Sequence, residues 1–140
     1  TAKALVIGGY IPYSQIDGFT KAHLERFWSF RHQKNLLKGK LVATVLTGLA
    51  PEALTAVNHA LAAEFKEYEN MDLIGQVTVQ GNIVCAFCGV GDTCEMSAFR
   101  SDLIETGTKA SDVKYARVEN QKEVWEEAIR VGRLIGERLK

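Results

Sequence analysis

The sequence has no excess of charge and no long hydrophobic run, and both absences limit what the protein can do. Its 17 basic and 17 acidic side chains cancel to a formal net charge of zero, so no basic field indicates binding to nucleic acid or to an anionic membrane surface. No apolar run approaches the roughly 20 residues that cross a bilayer. An apolar segment begins almost at Thr1, so no signal peptide is expected. These features favour a soluble cytoplasmic protein.

Cysteine and proline are scarce, with three cysteines and two prolines in 140 residues. All three cysteines lie within residues 85–94, unlike the disulfide framework of a small secreted protein, so a reducing compartment is expected. Repeats and Pro/Ser-rich linkers are also absent, and the length suits one domain with a sizeable core. No Ser-His-Asp order, phosphate-binding P-loop, zinc-protease motif or carboxylate pair stands out.

What the sequence does contain is a set of strand patterns. Residues 4–7, which end at Gly8-Gly9, and residues 41–47 are near-continuous apolar runs, typical of strands that are buried on both faces. Residues 72–80 alternate apolar and polar side chains, which predicts a strand exposed on one face and near a sheet edge. A short strand is also predicted at 114–118.

Helical patterns follow the first two strands and end the chain. A helix with an aromatic-rich inner face is predicted over 17–36, with Gly39 as a left-handed cap beyond its end. A second helix begins at Pro51, which suits a first helical position. The last begins with Asn120 as N-cap and Glu123 three residues on, a capping-box pattern. The positions predicted to face the core are Phe19, Ala22, Phe27 and Phe30 in the first helix, Leu54, Val57, Leu61 and Phe65 in the second, and Val124, Ala128, Val131, Ile135 and Leu139 in the last.

The element order β-α-β-α-β-loop-α predicts an α/β fold, a three-layer sandwich around a mainly parallel sheet with right-handed crossovers. The whole chain, residues 1–140, is expected to form a single domain. Within it, residues 82–112 form a glycine-rich, cysteine-containing loop region with a short helix at 97–105. A segment of this length without strong periodicity is typically functional or mobile.

Candidate ligand residues follow the first two strands. In open parallel sheets, ligands bind at the carboxyl ends of the strands. Two tyrosines, a rigid proline and a serine at that place suit a flat aromatic ligand with polar edges. The residues concerned are Tyr10, Ile11, Pro12, Tyr13, Ser14 and Gln15 after the first strand, and Thr47, Gly48 and Leu49 after the second.

The spacing of this first segment resembles the flavodoxin-like, NADPH-dependent FMN reductase family. The resemblance rests on Gly8, Pro12, Tyr13, Ser14, Gly18, Lys21, Ala22, Leu24, Glu25 and Arg26. It implies a flavodoxin-like fold of which this chain is the carboxyl-terminal part, lacking the first two strands and the phosphate-binding loop. It also implies FMN as cofactor, a nicotinamide or protein electron donor, and either a homodimer or the missing amino-terminal half as partner.

By the same resemblance, residues 10–15 contact the isoalloxazine ring and Tyr13 stacks on it. Thr47, Gly48 and Leu49 form a second wall, although the family carries a second glycine where this chain has Leu49. An FMN-dependent oxidoreductase or electron-transfer domain is therefore the leading functional hypothesis. We expect the 140-residue chain alone to bind FMN negligibly as a monomer.

The cysteine segment leaves three interpretations open. Cys85 and Cys88 form a C-x2-C pair, with Cys94 six residues further on, and such thiolates can bind zinc or an iron–sulfur cluster. Both groups typically need four ligands, and only three cysteines exist. A thiol redox switch and plain reduced cysteines in a structural loop are the other two interpretations.

Two alternatives to a flavin enzyme follow from the same sequence. One is a non-catalytic α/β module for assembly or regulation, which keeps the sheet without the flavin. The other is a metal-binding module centred on the three cysteines.

Overall fold

A computed structural model describes residues 2–140, and it has α/β architecture. Its sheet has three parallel strands in the order β1-β2-β3. These are β1, Ala4–Ile11; β2, Leu41–Gly48; and β3, Asp72–Gln80. The central strand β2 is almost entirely buried, as its apolar run predicted.

The first strand differs from its prediction in two ways. It does not end at Gly8 but continues to Ile11, because every residue from Ala4 to Ile11 pairs in register with β2. It is also not buried on both faces, since the Val6 side chain is 61% exposed. Among the described residues β1 is an edge strand, and this edge position explains the exposure.

The first helix is much shorter than predicted. Helix α1 spans Gly18–Glu25, and a 3-10 segment, Arg26–Arg31, follows it. Leu24 and Phe27 face the core, whereas Phe19, predicted to be buried, is 93% exposed. The inner-face prediction was wrong at Phe19 because the buried residue of α1 is Leu24, which lies on a different side of the helix from Phe19.

The second helix matches its prediction. Helix α2 spans Pro51–Ala63 with Pro51 at its start, and a π-helical turn, Glu64–Tyr68, continues it. Its four predicted core positions are buried together with residues of α1, β1 and β2. Both helices therefore cover one face of the sheet. Gly39 has the expected positive φ of 72°, but it lies in a turn well beyond the end of α1 rather than at a helix cap.

Two further helices follow β3. Helix α3 is short, Arg100–Thr106, and helix α4 spans Lys122–Arg138. Asn120 is not the N-cap of α4, because it belongs to a 3-10 turn, Val118–Asn120, and Gln121 takes the cap position. The strand predicted at 114–118 does not form, because residues 114–117 belong to no helix or strand and Val118 begins the 3-10 turn.

Helix α4 covers the face of the sheet opposite α1 and α2. Val131 is buried against Ala43 and Val77, with the other inner positions of α4 around it, whereas Leu139 is exposed beyond the helix end. A Cβ atom on Gly75 would overlap the Val131 side chain, so glycine sets the distance between α4 and β3. Helices thus lie on both faces of the sheet, as in a three-layer sandwich.

The chain divides into two compact units. The larger one contains the sheet, α1, α2 and α4, formed by residues up to Gln80 and from Val118 onward. The smaller one, Gly81–Arg117, contains the three cysteines, α3 and two 3-10 turns, Val84–Ala86 and Ala110–Asp112. Among residues 2–140, no helix is both long enough and apolar enough to span a bilayer.

Candidate functional site

The carboxyl ends of the three strands lie level with one another. Tyr10 pairs with Thr47, and Ile11 pairs with Gly48, which in turn pairs with Gln80. The loop that follows β1 and the turn that follows β2 therefore leave the sheet side by side. The two predicted walls of a ligand site are neighbours in the structure.

Asp17 closes the loop between β1 and α1. Its Oδ2 atom accepts a hydrogen bond of 3.0 Å from the Tyr10 amide, and its own amide donates to the Tyr10 carbonyl at 2.8 Å. The same carboxylate caps α1, because Oδ1 accepts from the Thr20 amide at 2.9 Å and Oδ2 lies 2.7 Å from the Thr20 hydroxyl. Hydrogen bonds from the Thr20 amide and then the Tyr10 amide hold the pKa of Asp17 below its usual value.

Two glycines fix the packing behind the loop. A Cβ atom on Gly9 would overlap the end of the Ile16 side chain and lie 3.2 Å from the Leu46 side chain, so a larger residue here would require Ile16 to shift. A Cβ atom on Gly48 would lie 3.1 Å from the Ile11 Cβ atom and 3.2 Å from its carbonyl oxygen. The Ile11 side chain is buried in the core, so only its backbone can face a ligand.

The tip of the loop is free to contact a ligand. Pro12, Tyr13, Ser14 and Gln15 are all exposed, Tyr13 at 87%. Within residues 2–140, neither the backbone nor the side chains of Tyr13, Ser14 and Gln15 form a hydrogen bond with the rest of the protein. The loop after β1 thus presents three backbone N–H groups and the ring of Tyr13. Asp17 holds the two ends of this loop together through its bonds to Tyr10.

Amide side chains hold the part of the carboxyl edge where β2 and β3 end. The Gln80 side chain donates to the Leu49 carbonyl at 3.3 Å. The Gln80 backbone exchanges two hydrogen bonds with the Gln121 side chain, accepting from it at 3.1 Å and donating to it at 2.9 Å. Sequence analysis missed Gln80 and Gln121, because nothing in their spacing indicates that the end of β3 meets the start of α4. It treated Asp17 only as the place where the helix begins.

A cavity of about 180 Å³ lies behind the loop, on the side of the sheet that α1 and α2 cover. It is lined by Ser14, Gln15, Lys21, Leu24, Leu61 and Glu64, among others. Ligand pockets are typically about 300 Å³ or larger. This cavity is therefore too small for a flavin ring, which would have to lie along the open carboxyl edge instead.

The three cysteines lie in the smaller unit, and none of them forms a disulfide bond. The Cys85 sulfur accepts a hydrogen bond from the Ala98 amide at 3.4 Å, while the Cys88 thiol lies 3.5 Å from the Cys85 carbonyl oxygen. Among residues 2–140, no three His, Cys, Asp or Glu side chains are grouped so that they could hold a metal ion. Metal binding at Cys85, Cys88 and Cys94 stays a prediction, which metal analysis can decide.

Other contacts shape this unit around the cysteines. The rings of Phe87 and Tyr115 stack with centroids 3.7 Å apart. Asp92 accepts hydrogen bonds from the Ser111 hydroxyl at 2.7 Å and its amide at 3.0 Å, and these bonds hold the pKa of Asp92 below its usual value. The cysteine segment is thus a folded unit with its own contacts.

Comparisons with protein-family models, with characterised proteins and with solved structures find no match for this chain. Its class therefore rests on its own structure. It is an α/β protein with a three-stranded parallel sheet and helices on both faces of the sheet.

Proposed function

We propose that this protein binds the isoalloxazine ring of FMN at the carboxyl edge of its sheet and acts as an oxidoreductase or electron-transfer protein of the flavodoxin-like FMN reductase type. A bound flavin would accept a hydride from a nicotinamide, or electrons from a protein donor, and pass them to an acceptor. The chain's own residues would bind, orient and shield the ring.

The observation that carries this proposal is the loop tip at the end of β1. Tyr13 presents an exposed ring, and the amides of Ser14 and Gln15 have no hydrogen-bond partner within residues 2–140. A planar heterocycle with carbonyl and nitrogen acceptors along one edge matches that donor set, because it can stack on the tyrosine while its edge accepts from the amides.

The second wall supports the same placement. Thr47 lies beside Tyr10 in the sheet, and Leu49 lies two residues after Thr47, at the turn into α2. The Gln80 side chain holds the Leu49 carbonyl. A ring on the Tyr13 side of the edge would therefore meet a second wall that is already fixed. Little ordering of that wall would then be needed on binding, which favours affinity.

The test is FMN binding by the protein expressed from its complete gene. We expect bound flavin to show visible absorbance after reconstitution, and free FMN to lose fluorescence as protein is added. Tyr13→Ala should weaken FMN binding by roughly five-fold, which corresponds to a stacking contribution of about 1 kcal/mol.

Tyr68→Ala provides the matched control. Tyr68 is also an exposed tyrosine, but it lies shortly before β3 begins, at the opposite edge of the sheet. This variant should bind FMN as the unmodified protein does. Absence of saturable FMN binding in the complete protein, or equal losses for the two variants, would contradict the proposal.

A further inference from the structure

Positive charge is concentrated in one segment of the chain. No acidic residue occurs from position 26 to position 51, whereas five basic residues do, namely Arg26, Arg31, Lys34, Lys38 and Lys40. The zero net charge of the protein is a sum over all 140 residues, so it does not exclude a local field of positive sign.

Three adjoining depressions follow this segment over the surface of the larger unit. Their volumes are about 640, 370 and 330 Å³. The first and second share Ser29 and His32, and the second and third share Leu36, so they form one continuous concave surface. We call it the basic groove, and it is lined by residues from 28–41 together with Lys3, Arg138 and Leu139. Among residues 2–140, no aspartate or glutamate lines it.

Most of the positive charge in the basic groove is uncompensated. The two arginines have carboxylate partners, because Arg31 lies 3.7 Å from an oxygen of Glu69 and Arg138 lies 2.7 Å from an oxygen of Asp72. Four lysines that line the groove form no ion pair within residues 2–140, and these are Lys3, Lys34, Lys38 and Lys40. Since they line two of the three depressions, the groove suits a ligand with several negative charges along its length.

An aromatic ring lies at the other end of the basic groove. Trp28 lines the first depression, and its side chain is 75% exposed. The guanidinium of Arg31 lies over the indole ring, 5.4 Å from its centroid. Arg31 therefore covers one face of the ring and leaves the other face available for stacking. Phe30, which lines the second depression, is also partly exposed.

The turn before β3 holds this segment in place. The Asn35 side-chain amide donates to the Glu69 carbonyl at 2.8 Å, and its oxygen accepts from the Lys38 amide at 3.1 Å. The Gly39 amide donates to the Asn70 carbonyl at 2.9 Å. The backbone that carries the cations is thus fixed before any ligand binds, so little entropy is lost in ordering it.

We propose that the basic groove binds single-stranded nucleic acid through its phosphates and the flat faces of its bases. A single strand presents one negative charge and one planar ring per nucleotide, which matches a concave row of lysines that ends at an exposed tryptophan. An acidic peptide supplies the charges without the rings, and a membrane surface is too flat to reach cations in a depression. Neither contact reads the sugar, so DNA and RNA strands are both ligands.

This site is separate from the edge proposed for the flavin. Lys3 and Lys40 come directly before β1 and β2, so the third depression lies at the amino ends of the strands. The flavin is proposed to bind at their carboxyl ends. Nucleic-acid binding therefore does not depend on flavin binding.

Anisotropy of a labelled oligonucleotide tests the proposal. A short fluorescein-labelled oligo-dT, titrated with the protein expressed from its complete gene, should show saturable binding, and oligo-U of the same length should bind equally well. With four phosphate contacts, the affinity should fall roughly 50-fold between about 50 and 200 mM salt. A duplex of the same length should bind more weakly, because its bases already stack on one another.

Two kinds of variant separate stacking from charge. Trp28→Ala should weaken binding of oligo-dT about ten-fold through the lost stacking, and should leave the salt dependence unchanged. The double variant Lys34→Gln, Lys38→Gln should weaken binding and also reduce the slope of log affinity against log salt by about 0.7 for each lysine. A general loss of folding would not divide the two effects in this way.

The chain offers a matched control for each variant. Trp125 is the other tryptophan, 46% exposed on α4 and outside the groove. Lys122 is an exposed lysine on the same helix. Trp125→Ala and Lys122→Gln should both bind oligo-dT as the unmodified protein does.

Three results would overturn the proposal. The first is the absence of saturable oligo-dT binding at about 50 mM salt, and binding to phosphatidylserine vesicles in that case would assign the groove to a membrane surface. The second is an equal loss of affinity for Trp28→Ala and Trp125→Ala. The third is a polyglutamate peptide of the same charge that displaces oligo-dT as well as unlabelled oligo-dT does, which would indicate an acidic protein segment as the ligand.

Discussion

The Asp17 carboxylate joins the end of β1 to the start of α1. It caps α1 through Thr20, and it also holds the amide of Tyr10 at the end of β1. The loop that carries Tyr13 is therefore fixed at both ends, although the loop tip has no hydrogen bond within residues 2–140. This arrangement keeps the aromatic ring and the amides exposed without leaving the whole loop free to move.

Substitution of Asp17 should separate these two roles. We expect Asp17→Ala to lower the free energy of unfolding by about 2 kcal/mol, because both the cap and the bond to Tyr10 are lost. Asp17→Asn should cost about 1 kcal/mol, since an amide can still cap the helix but offers only one acceptor oxygen. Urea denaturation at neutral pH measures both values, with the exposed Glu119→Gln as control. Equal losses for the two Asp17 variants would show that the helix cap adds nothing, and an Asp17→Asn protein as stable as the unmodified one would show that the bond to Tyr10 adds nothing.

The stabilisation by Asp17 should depend on pH. Because its pKa in the folded protein is lowered, its contribution is fully present above the ordinary aspartate pKa of about 3.9 and is lost as the pH falls through the lower folded value. The stability difference between the unmodified protein and Asp17→Ala should therefore be constant near neutral pH and shrink in acid. A difference that grows in acid would contradict this assignment.

Helix α4 and strand β3 meet through one close contact. Gly75 lies under Val131, and any side chain at position 75 would overlap that valine. A β-bulge beside this point, at the register shift opposite Val42 and Ala43, places Ile74 on the α4 face as well. Helix α4 thus covers the apolar face of β3, whereas Thr78 and Gln80 on the opposite face are exposed, as the alternation of the strand predicted.

A Cβ atom at position 75 should push α4 away from the sheet. We expect Gly75→Ala to lower the free energy of unfolding by about 2 kcal/mol through overpacking. Combined with Val131→Ala, it should cost about 1 kcal/mol less than the sum of the two single changes, because the smaller side chain makes room. Thermal and urea unfolding measure this coupling. Gly132→Ala is the control, because a Cβ atom there points into open space on α4, and it should raise stability by up to about 1 kcal/mol. If the effects of Gly75→Ala and Val131→Ala were simply additive, the close contact between the two residues would be excluded.

The two compact units of the chain differ in what holds them together. The larger one has a central buried strand between two helical layers. The smaller one, Gly81–Arg117, has short helical segments and has Gly91, Ser97, Phe99 and Ala110 as its buried residues. Regions with few buried contacts open more readily than a buried core.

Hydrogen exchange should follow this division. We expect the amides of β2 to exchange slowest, because the strand is paired on both sides and buried on both faces. The amides of 81–117 should exchange fastest among the ordered segments. Mass spectrometry of peptic fragments, or amide NMR, measures both. Protection of 81–117 equal to that of β2 would show that the two units open as one.

The local sequence pattern was enough to predict some of the strands and helices. The apolar run of β2, the alternation of β3 and the start of α2 at Pro51 were confirmed, whereas the same kind of apolar run did not predict the exposure of β1. The early end of α1 could not be predicted in this way. Its aromatic spacing continues to Phe30, and only packing of Leu24 and Phe27 against the core selects the tighter turn that follows.

Part of the candidate site could likewise be predicted from the sequence, and part could not. Sequence placed Tyr10–Gln15 and Thr47–Leu49 at strand ends, since parallel strands bring their carboxyl ends to one edge of a sheet. The structure alone revealed that Asp17, Gln80 and Gln121 hold this edge, because their partners lie seven to 41 residues away in the chain. It also revealed that β1 is an open edge, although its apolar sequence is typical of a strand with neighbours on both sides. The apolar composition of a strand shows that its burial is favourable. The number of its neighbouring strands, however, depends on which other segments pack beside it in the folded protein.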